Sequence, residues 1–407
     1  MRIVSIAPVV PYDGIPHAGG QYYLRHLRAL RADGHEVTLV APDSAENRAA
    51  RAVSSAASAV VLVPVTPPAR GLSRGAAWFD RQQLRFFPAR PLRRVRRAFA
   101  RSARVRESVS ATDVVEFQWT ETGWLATRMP ASARRIVIAH DVVLQNAERF
   151  LAASGPPWGP RALVSRARLI TVRRDERRIY TAVDTVLVFS AKDAALVQRA
   201  AHGSAVVRVV RPPLAGSIEG ETAAAPEGGT ILFVGAFDRS VNADAALWTL
   251  REIVPRVQRR YPDARFVFAG ANPTDEMRRE AGRSPGTLTV TGRVDSLDEH
   301  YSVAALVLVP LRSGAGLKFK TVDAMVRGIP VVSTSIGVEG IVDDTLSVFA
   351  VADDAEGLAD GICAALDDPA AARGQARAVQ PAAAREFSVE HFRRTLADVY
   401  RPSPLES

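Results

Sequence analysis

Residues 306–310, Leu-Val-Leu-Val-Pro, form a short apolar run of the kind that a parallel sheet buries on both faces. Gly314 and Gly316 follow, then a helix expected over 317–327, a stop at Gly328 and Pro330, and a second apolar run at Val331-Val332-Ser333. Strand, glycine turn and helix start in that order make an anion site, because the first-turn N–H groups of a helix carry partial positive charge. Lys318 and Lys320 add full charges beside them, which suits a phosphate or diphosphate. Asp323 comes one to two turns later, on a face that can meet a ribose. A chain built around such a unit is α/β, with helices packed on a parallel sheet.

The run Gly314-Ala315-Gly316-Leu317-Lys318-Phe319-Lys320-Thr321-Val322-Asp323-Ala324-Met325 resembles the motif of one branch of the retaining family 4 of nucleotide-sugar glycosyltransferases, roughly Gly-Ser-Gly-x-Arg-x-Lys-x-x-Glu-Ala-Met. The resemblance continues through Gly328-Ile329-Pro330 and Gly337-Val338-Glu339-Gly340. It implies the GT-B fold, two doubly wound Rossmann-like domains facing each other across a cleft. It also implies a sugar moved from a nucleoside-diphosphate sugar to an acceptor hydroxyl with retention, without metal and without a cofactor beyond the donor. Gly314, Ala315, Gly316, Leu317, Lys318, Lys320 and Asp323 then fall on donor-binding positions, Asp323 with a catalytic share.

Two departures stand out. Most of the family carries a pair of glutamates, the second on the ribose and the first near the donor sugar; Asp323 takes the second place and Ala315 the first. An arginine and a lysine usually follow the donor domain's first strand, whereas here the segment reads Gly235-Ala236-Phe237-Asp238-Arg239-Ser240-Val241-Asn242. Arg239 is left as the substitute, with Lys318, Lys320 and Arg312 to supply the missing charge. The alternative is that these are solvated loop charges.

The chain has 407 residues, 47% of them hydrophobic, enough for two α/β cores. The expected division is an acceptor-side domain over 1–210, a linker over 211–229, a donor domain over 230–385 and a helix over 386–407 that returns to the first domain. No apolar run reaches the roughly 20 residues of a membrane span. The first residues run straight into a strand, so a secretory signal is not expected. One cysteine, Cys363, allows no intrachain disulfide, and no metal-ligand spacing is evident. The expected location is cytoplasmic, peripheral on the inner face of the membrane if the basic segments serve lipid.

Those segments are concentrated. Residues 81–108 hold ten arginines against Glu107, and residues 161–178 hold seven against Asp175 and Glu176, more than the whole formal net charge of +10. One reading is a basic face for anionic lipid headgroups or a lipid-linked diphosphate acceptor; the other is a solvated arginine-rich surface. Nucleic acid is not expected, since no aromatic platform accompanies the arginines.

Short apolar runs at 2–7, 36–41, 59–63, 114–117, 135–139 and 185–189 alternate with helical segments, the pattern of a doubly wound sheet. Gly19 and Gly20 lead into the first helix. They serve either a tight strand-to-helix turn or the approach of backbone amides to the donor phosphate. His140 and Asp141 follow a strand, at the rim where such sheets place ligands, and the resemblance gives His140 contact with the transferred sugar. Glu116, Gln118 and Trp119, ending another strand, are candidates for acceptor contacts or for structure. A second strand series begins at 230 and includes a long helix expected over 243–261. Arg293 and Val294 resemble the loop that meets the nucleotide base. A helix over 388–400 with a Ser388 cap closes the reading. Rival readings are a GT-B epimerase and a non-catalytic binding module.

Overall fold

The computed structural model describes residues 1–15, 17–66, 73–129, 133–152, 160–214, 229–284 and 286–401. Most of the expected linker, residues 215–228, lies outside them. The chain divides into two compact units, Met1–Pro212 together with the stretch from Arg393, and Pro213–Phe392.

The first unit holds seven strands: β1 (Arg2–Ile6), β2 (Glu36–Asp43), β3 (Ala59–Pro64), β4 (Val114–Gln118), β5 (Arg134–Ala139), β6 (Thr185–Val188) and β7 (Val206–Val209). They form one parallel sheet in the order β3-β2-β1-β4-β5-β6-β7. Side chains alternate across it. Val4, Ile6, Val115, Phe117, Val137 and Ala139 enter the apolar core on one face. Ser5, Glu116 and Gln118 point to the other, and the register sets Ser5 beside Glu116.

The second unit adds β8 (Thr230–Val234), β9 (Arg265–Ala269), β10 (Leu288–Gly292), β11 (Leu306–Val309), β12 (Val331–Ser333) and β13 (Ala350–Val351). Their order is β10-β9-β8-β11-β12-β13, also parallel. Strand order therefore reverses between β1 and β4 in the first sheet and between β8 and β11 in the second. A crevice opens at the carboxyl ends of the strands at each such point.

Two expected helices differ in detail. The long helix of the second unit is interrupted: Ser240–Trp248 and Val254–Arg260 are α-helical, but Thr249–Ile253 widens to a π turn. Pro255 has no N–H to give the carbonyl of Arg251, which accounts for a break at this point. The helix of the glycine turn runs Phe319–Val326, starting two residues later than expected because Gly314 (φ +114°) and Gly316 (φ +73°) hold left-handed backbone and Lys318 is still extended. Its end is a Schellman motif: the Gly328 N–H reaches the Met325 carbonyl and the Ile329 N–H that of Ala324, both at 3.0 Å. The final helix, Val389–Tyr400, begins after Ser388, whose hydroxyl accepts the His391 N–H at 3.0 Å. No helix among the described residues is long and apolar enough to cross a membrane.

Candidate active site

At the switch point of the second sheet, the segment after β8 brings Gly235 and Arg239, and the segment after β11 brings the glycine turn with Lys318 and Lys320. The Lys318 side chain is buried, and its ammonium donates to the Gly316 carbonyl at 2.6 Å, closing the turn on itself. The Lys320 ammonium donates to Asn242 Oδ1 at 3.0 Å and lies 4.8 Å from the centre of the Phe233 ring. Asn242 is fixed in turn by donating to the Ala236 carbonyl at 2.8 Å. No carboxylate pairs with Lys320 or Arg239 among the described residues. Burial, followed by the charges of Arg239 and Lys318, pushes the Lys320 amine down to about 7. It is thus a partly charged group at neutral pH, not the full cation expected from sequence. A bound anion would restore its proton.

Arg312, expected to contribute charge here, does not. Its guanidinium donates to both Asp244 oxygens at 2.7 and 3.1 Å and stacks 5.0 Å from Trp248. The pair turns the Nε edge of the guanidinium, and its charge, onto Asp244.

The rim of the first sheet is built differently. Glu116 has no exposed surface. Its carboxylate accepts from His26 Nε2 at 3.0 Å and Gln118 Nε2 at 3.1 Å, from the Ser5 hydroxyl and from the Tyr400 hydroxyl. Burial alone would raise this carboxyl, but the neighbouring His26 and the hydrogen bonds from His26, Ser5 and Tyr400 outweigh it and hold the group below its ordinary value. Tyr23 continues the network to Ser5 at 2.7 Å.

A proton assignment follows from this network. The Gln118 amide must present its nitrogen to Glu116, because a carboxylate only accepts. Its Oε1 therefore faces His140 Nε2, 3.2 Å away. Burial, then His26 and His17, push the His140 imidazole down to about 3, so the ring is neutral. Facing an oxygen, Nε2 carries the proton and Nδ1 keeps a lone pair. The ring is clamped on its sides by Trp119, stacked at 4.2 Å, and by Tyr22 and Phe189 at 5.0 and 5.2 Å. Trp119 holds φ at +69°, a costly backbone for a bulky residue and one often kept at binding sites. Gly19 lies over this pair; a methyl there would sit 3.0 Å from the Trp119 ring and 3.4 Å from His140 Nδ1.

Residues 228–368 match the family described as "Glycosyl transferases group 1". The likeness to group 1 glycosyl transferases lies in this region of the chain. Among curated relatives, phosphatidyl-myo-inositol mannosyltransferase of Mycolicibacterium smegmatis is 28% identical over 35% of this chain and 37% of its own length. A glycogen synthase of Mycobacterium tuberculosis is 28% identical over 42% of each chain. The chain thus spans well under half the length of the curated relatives it matches. Solved structures match over nearly the whole chain. Sucrose-phosphate synthase from Thermosynechococcus elongatus superposes with a TM-score of 0.70 at 18% identity, covering 98% of both chains. HepE of Anabaena, solved in complex with UDP, gives 0.67 at 13% identity, covering 98% of this chain and 99% of its own. The fold is the two-domain GT-B fold.

Within the matched region, Gly235, Arg239, Gly314, Ala315, Gly316, Lys318 and Lys320 gather at one switch point. Leu317 packs against the core behind them. Asp323 is half-buried on the same helix, near enough to Tyr301 to push its hydroxyl up after burial has done so. Arg293 and Val294 follow β10 at the sheet edge, two strands away from β8. In the first unit Gly19, Gln118, Trp119 and His140 meet at one rim. Gly20 does not present a free amide: its N–H is held by the His17 ring at 2.9 Å, as the cap of helix Ala18–Ala32, so the glycine pair opens a helix and is not a strand-to-helix turn. Glu116, with its carboxylate fully engaged and enclosed, has no atom to offer an acceptor; it positions its neighbours. Asp141 sits beside two acids that sequence reading passed over. Burial and then Asp141 raise Glu121 to about 7. Burial raises the enclosed Glu176 to about 8, although it accepts the Val143 N–H at 2.7 Å. No group of three or more metal-ligating side chains occurs among the described residues.

Proposed function

We propose that the chain transfers a hexose from a nucleoside-diphosphate sugar to an acceptor hydroxyl. The reading rests on one observation: a glycine turn bearing Lys318 and Lys320, with Arg239 opposite, at the switch point of the second sheet. Charge develops on the diphosphate as the sugar–phosphate bond breaks. Pre-oriented cations and amides stabilise such charge without needing metal. Retention follows if the acceptor attacks from the face the diphosphate leaves, with the diphosphate taking the acceptor's proton. Asp323 is assigned the ribose, Arg293 and Val294 the base. His140 is assigned the sugar: its Nδ1 lone pair accepts from a sugar hydroxyl, and its neutrality avoids repelling a developing oxocarbenium ion. Trp119 and Asp141 are assigned the acceptor. The acceptor class we favour is a lipid-linked or cell-envelope glycan, and the setting the cytoplasm, with peripheral contact to anionic membrane.

Calorimetry with UDP, GDP and ADP, followed by donor hydrolysis over a panel of nucleotide sugars, tests this. Binding of one nucleotide together with hydrolysis of its sugar is expected; failure of every nucleotide to bind at millimolar concentration would remove the donor site. Metal independence predicts activity in chelator, and loss there with return on magnesium or manganese contradicts it. Ala315 and the Arg312–Asp244 pair favour a second reading, a binding module that has lost transfer. That reading predicts nucleotide binding with no hydrolysis of any donor.

A further inference from the structure

Away from the rim, the first unit carries a groove of about 1010 Å³ along β3 and the helices Ser73–Phe86 and Arg93–Arg101. Its walls have two chemistries. Phe79, Phe86 and Phe87 supply apolar surface, and Arg93, Arg96, Arg97 and Arg101 supply charge. The nearby acids are already committed, Asp80 to Arg94 at 3.2 Å and Asp175 to Arg90 at 2.5 and 2.6 Å. No carboxylate pairs with the other four arginines among the described residues. Arg96 is the most constrained: its guanidinium lies 4.6 Å from the centre of the Trp124 ring and its buried Nε has no hydrogen-bond partner. Burial and the crowding of Arg90, Arg128 and Arg93 push it below its ordinary value. Such a group is under-satisfied until an anion arrives.

The helix that lines the groove also carries exposed apolar surface. Trp78, Phe79 and Leu84 are 53%, 70% and 49% exposed on one helix, with Trp78 and Phe79 in edge-to-face contact. Large apolar side chains ringed by arginine are costly in water and favourable at a bilayer interface. A free phosphate would use the arginines and ignore the phenylalanines. A hydrocarbon alone would leave the arginines unmatched.

We propose that this groove binds a phosphate-bearing lipid, its phosphate among Arg93, Arg96 and Arg97 and its chain along Phe79, Phe86 and Phe87, with Trp78, in contact with Phe79, at the membrane surface. The inference gives the membrane contact of the reading above a specific site, but its test needs no donor or transfer, so the two can fail separately.

The full chain is sedimented with vesicles of phosphatidylcholine alone and of equimolar phosphatidylcholine and phosphatidylglycerol, and titrated separately with short-chain phosphatidylglycerol below its micellar concentration and with inorganic phosphate. Binding to the anionic vesicles and to the monomeric lipid is expected, with phosphate a weak competitor. Replacing the exposed pair Arg93→Gln and Arg97→Gln should weaken vesicle binding about 30-fold, the scale of two arginines at an anionic surface. Phe79→Ser should also weaken lipid binding while leaving phosphate affinity unchanged. All these side chains are exposed, so melting temperature should stay at the parent value. Equal binding to both vesicle types, parent-like lipid binding by both variants, or phosphate displacing lipid at equal concentration would each overturn the proposal.

Discussion

The two switch points share a strand order and solve opposite electrostatic problems. At the β1/β4 rim the Glu116 carboxylate is matched inside the protein by His26, Ser5, Gln118 and Tyr400, and His140 is kept neutral. At the β8/β11 rim, Lys320 and Arg239 have no carboxylate partner among the described residues, and burial, then Arg239 and Lys318, make Lys320 partly surrender its proton. A site whose charges are satisfied holds shape. A buried amine crowded by other cations is a cost to the free fold that a bound anion would relieve.

The contrast breaks most visibly at Glu116. Glu116→Ala should cost about 3–5 kcal/mol of folding stability, the range for removing one partner of a buried, hydrogen-bonded pair, as read by denaturant unfolding; a change under about 1 kcal/mol, the worth of an exposed pair, would mean the network is not what holds this rim.

On the other side, Asp323→Ala should weaken nucleoside-diphosphate binding by roughly 1.5–3 kcal/mol, the scale of hydrogen bonds to a charged acceptor, with little change in melting temperature. Unaltered affinity would return Asp323 to a solubilising role, whereas activity kept or improved in Asp323→Glu would support the ribose assignment.

Lys320 sharpens the comparison through pH. Its folded value near 7 lies below the ordinary 10.5, so between these the unfolded chain holds a proton the folded chain lacks, and stability rises with pH over that window. Diphosphate binding restores the proton. Affinity should therefore fall as pH rises above 7, by up to about tenfold per unit, or ~1.4 kcal/mol. Calorimetry in buffers of differing ionisation enthalpy should show proton uptake near pH 8. Lys320→Met should abolish the uptake and leave melting temperature equal or higher; a large loss of stability in that variant would show the amine to be structural.

The smallest effect is expected at Arg239, which is exposed. Arg239→Gln should weaken binding by about 0.5–1 kcal/mol, an effect that salt erodes, and a salt-independent loss would place it in direct contact with the ligand.

Legibility followed distance along the chain. The glycine turn could be read because its strand, glycines, lysines and helix lie within 306–340, and local rules of turn and cap govern each step. The β4 strand, Val-Val-Glu-Phe-Gln, could be read as a buried strand ending in Glu116 and Gln118, but the run says nothing of what covers those side chains. The cover comes from residues 5, 26 and 400. Lys320's lowered basicity likewise depends on its burial and on Arg239 from another segment, so a lysine that reads as a full charge is not one. Glu176 sits in an arginine-rich run that reads as solvated surface, and only its complete burial marks it as a different kind of acid.

Tyr400 gives the first unit a particular birth order. The hydroxyl that completes the Glu116 network arrives from a residue 284 positions later in the chain. A ribosome makes the amino-terminal sheet first, and domains generally fold in that order. Here the early sheet emerges with its buried carboxylate one donor short, and stays so while the whole second unit is made and folded. The rim that holds His140 is thus finished last, so a chain released before residue 400 would carry an intact glycine turn but an unfinished first unit.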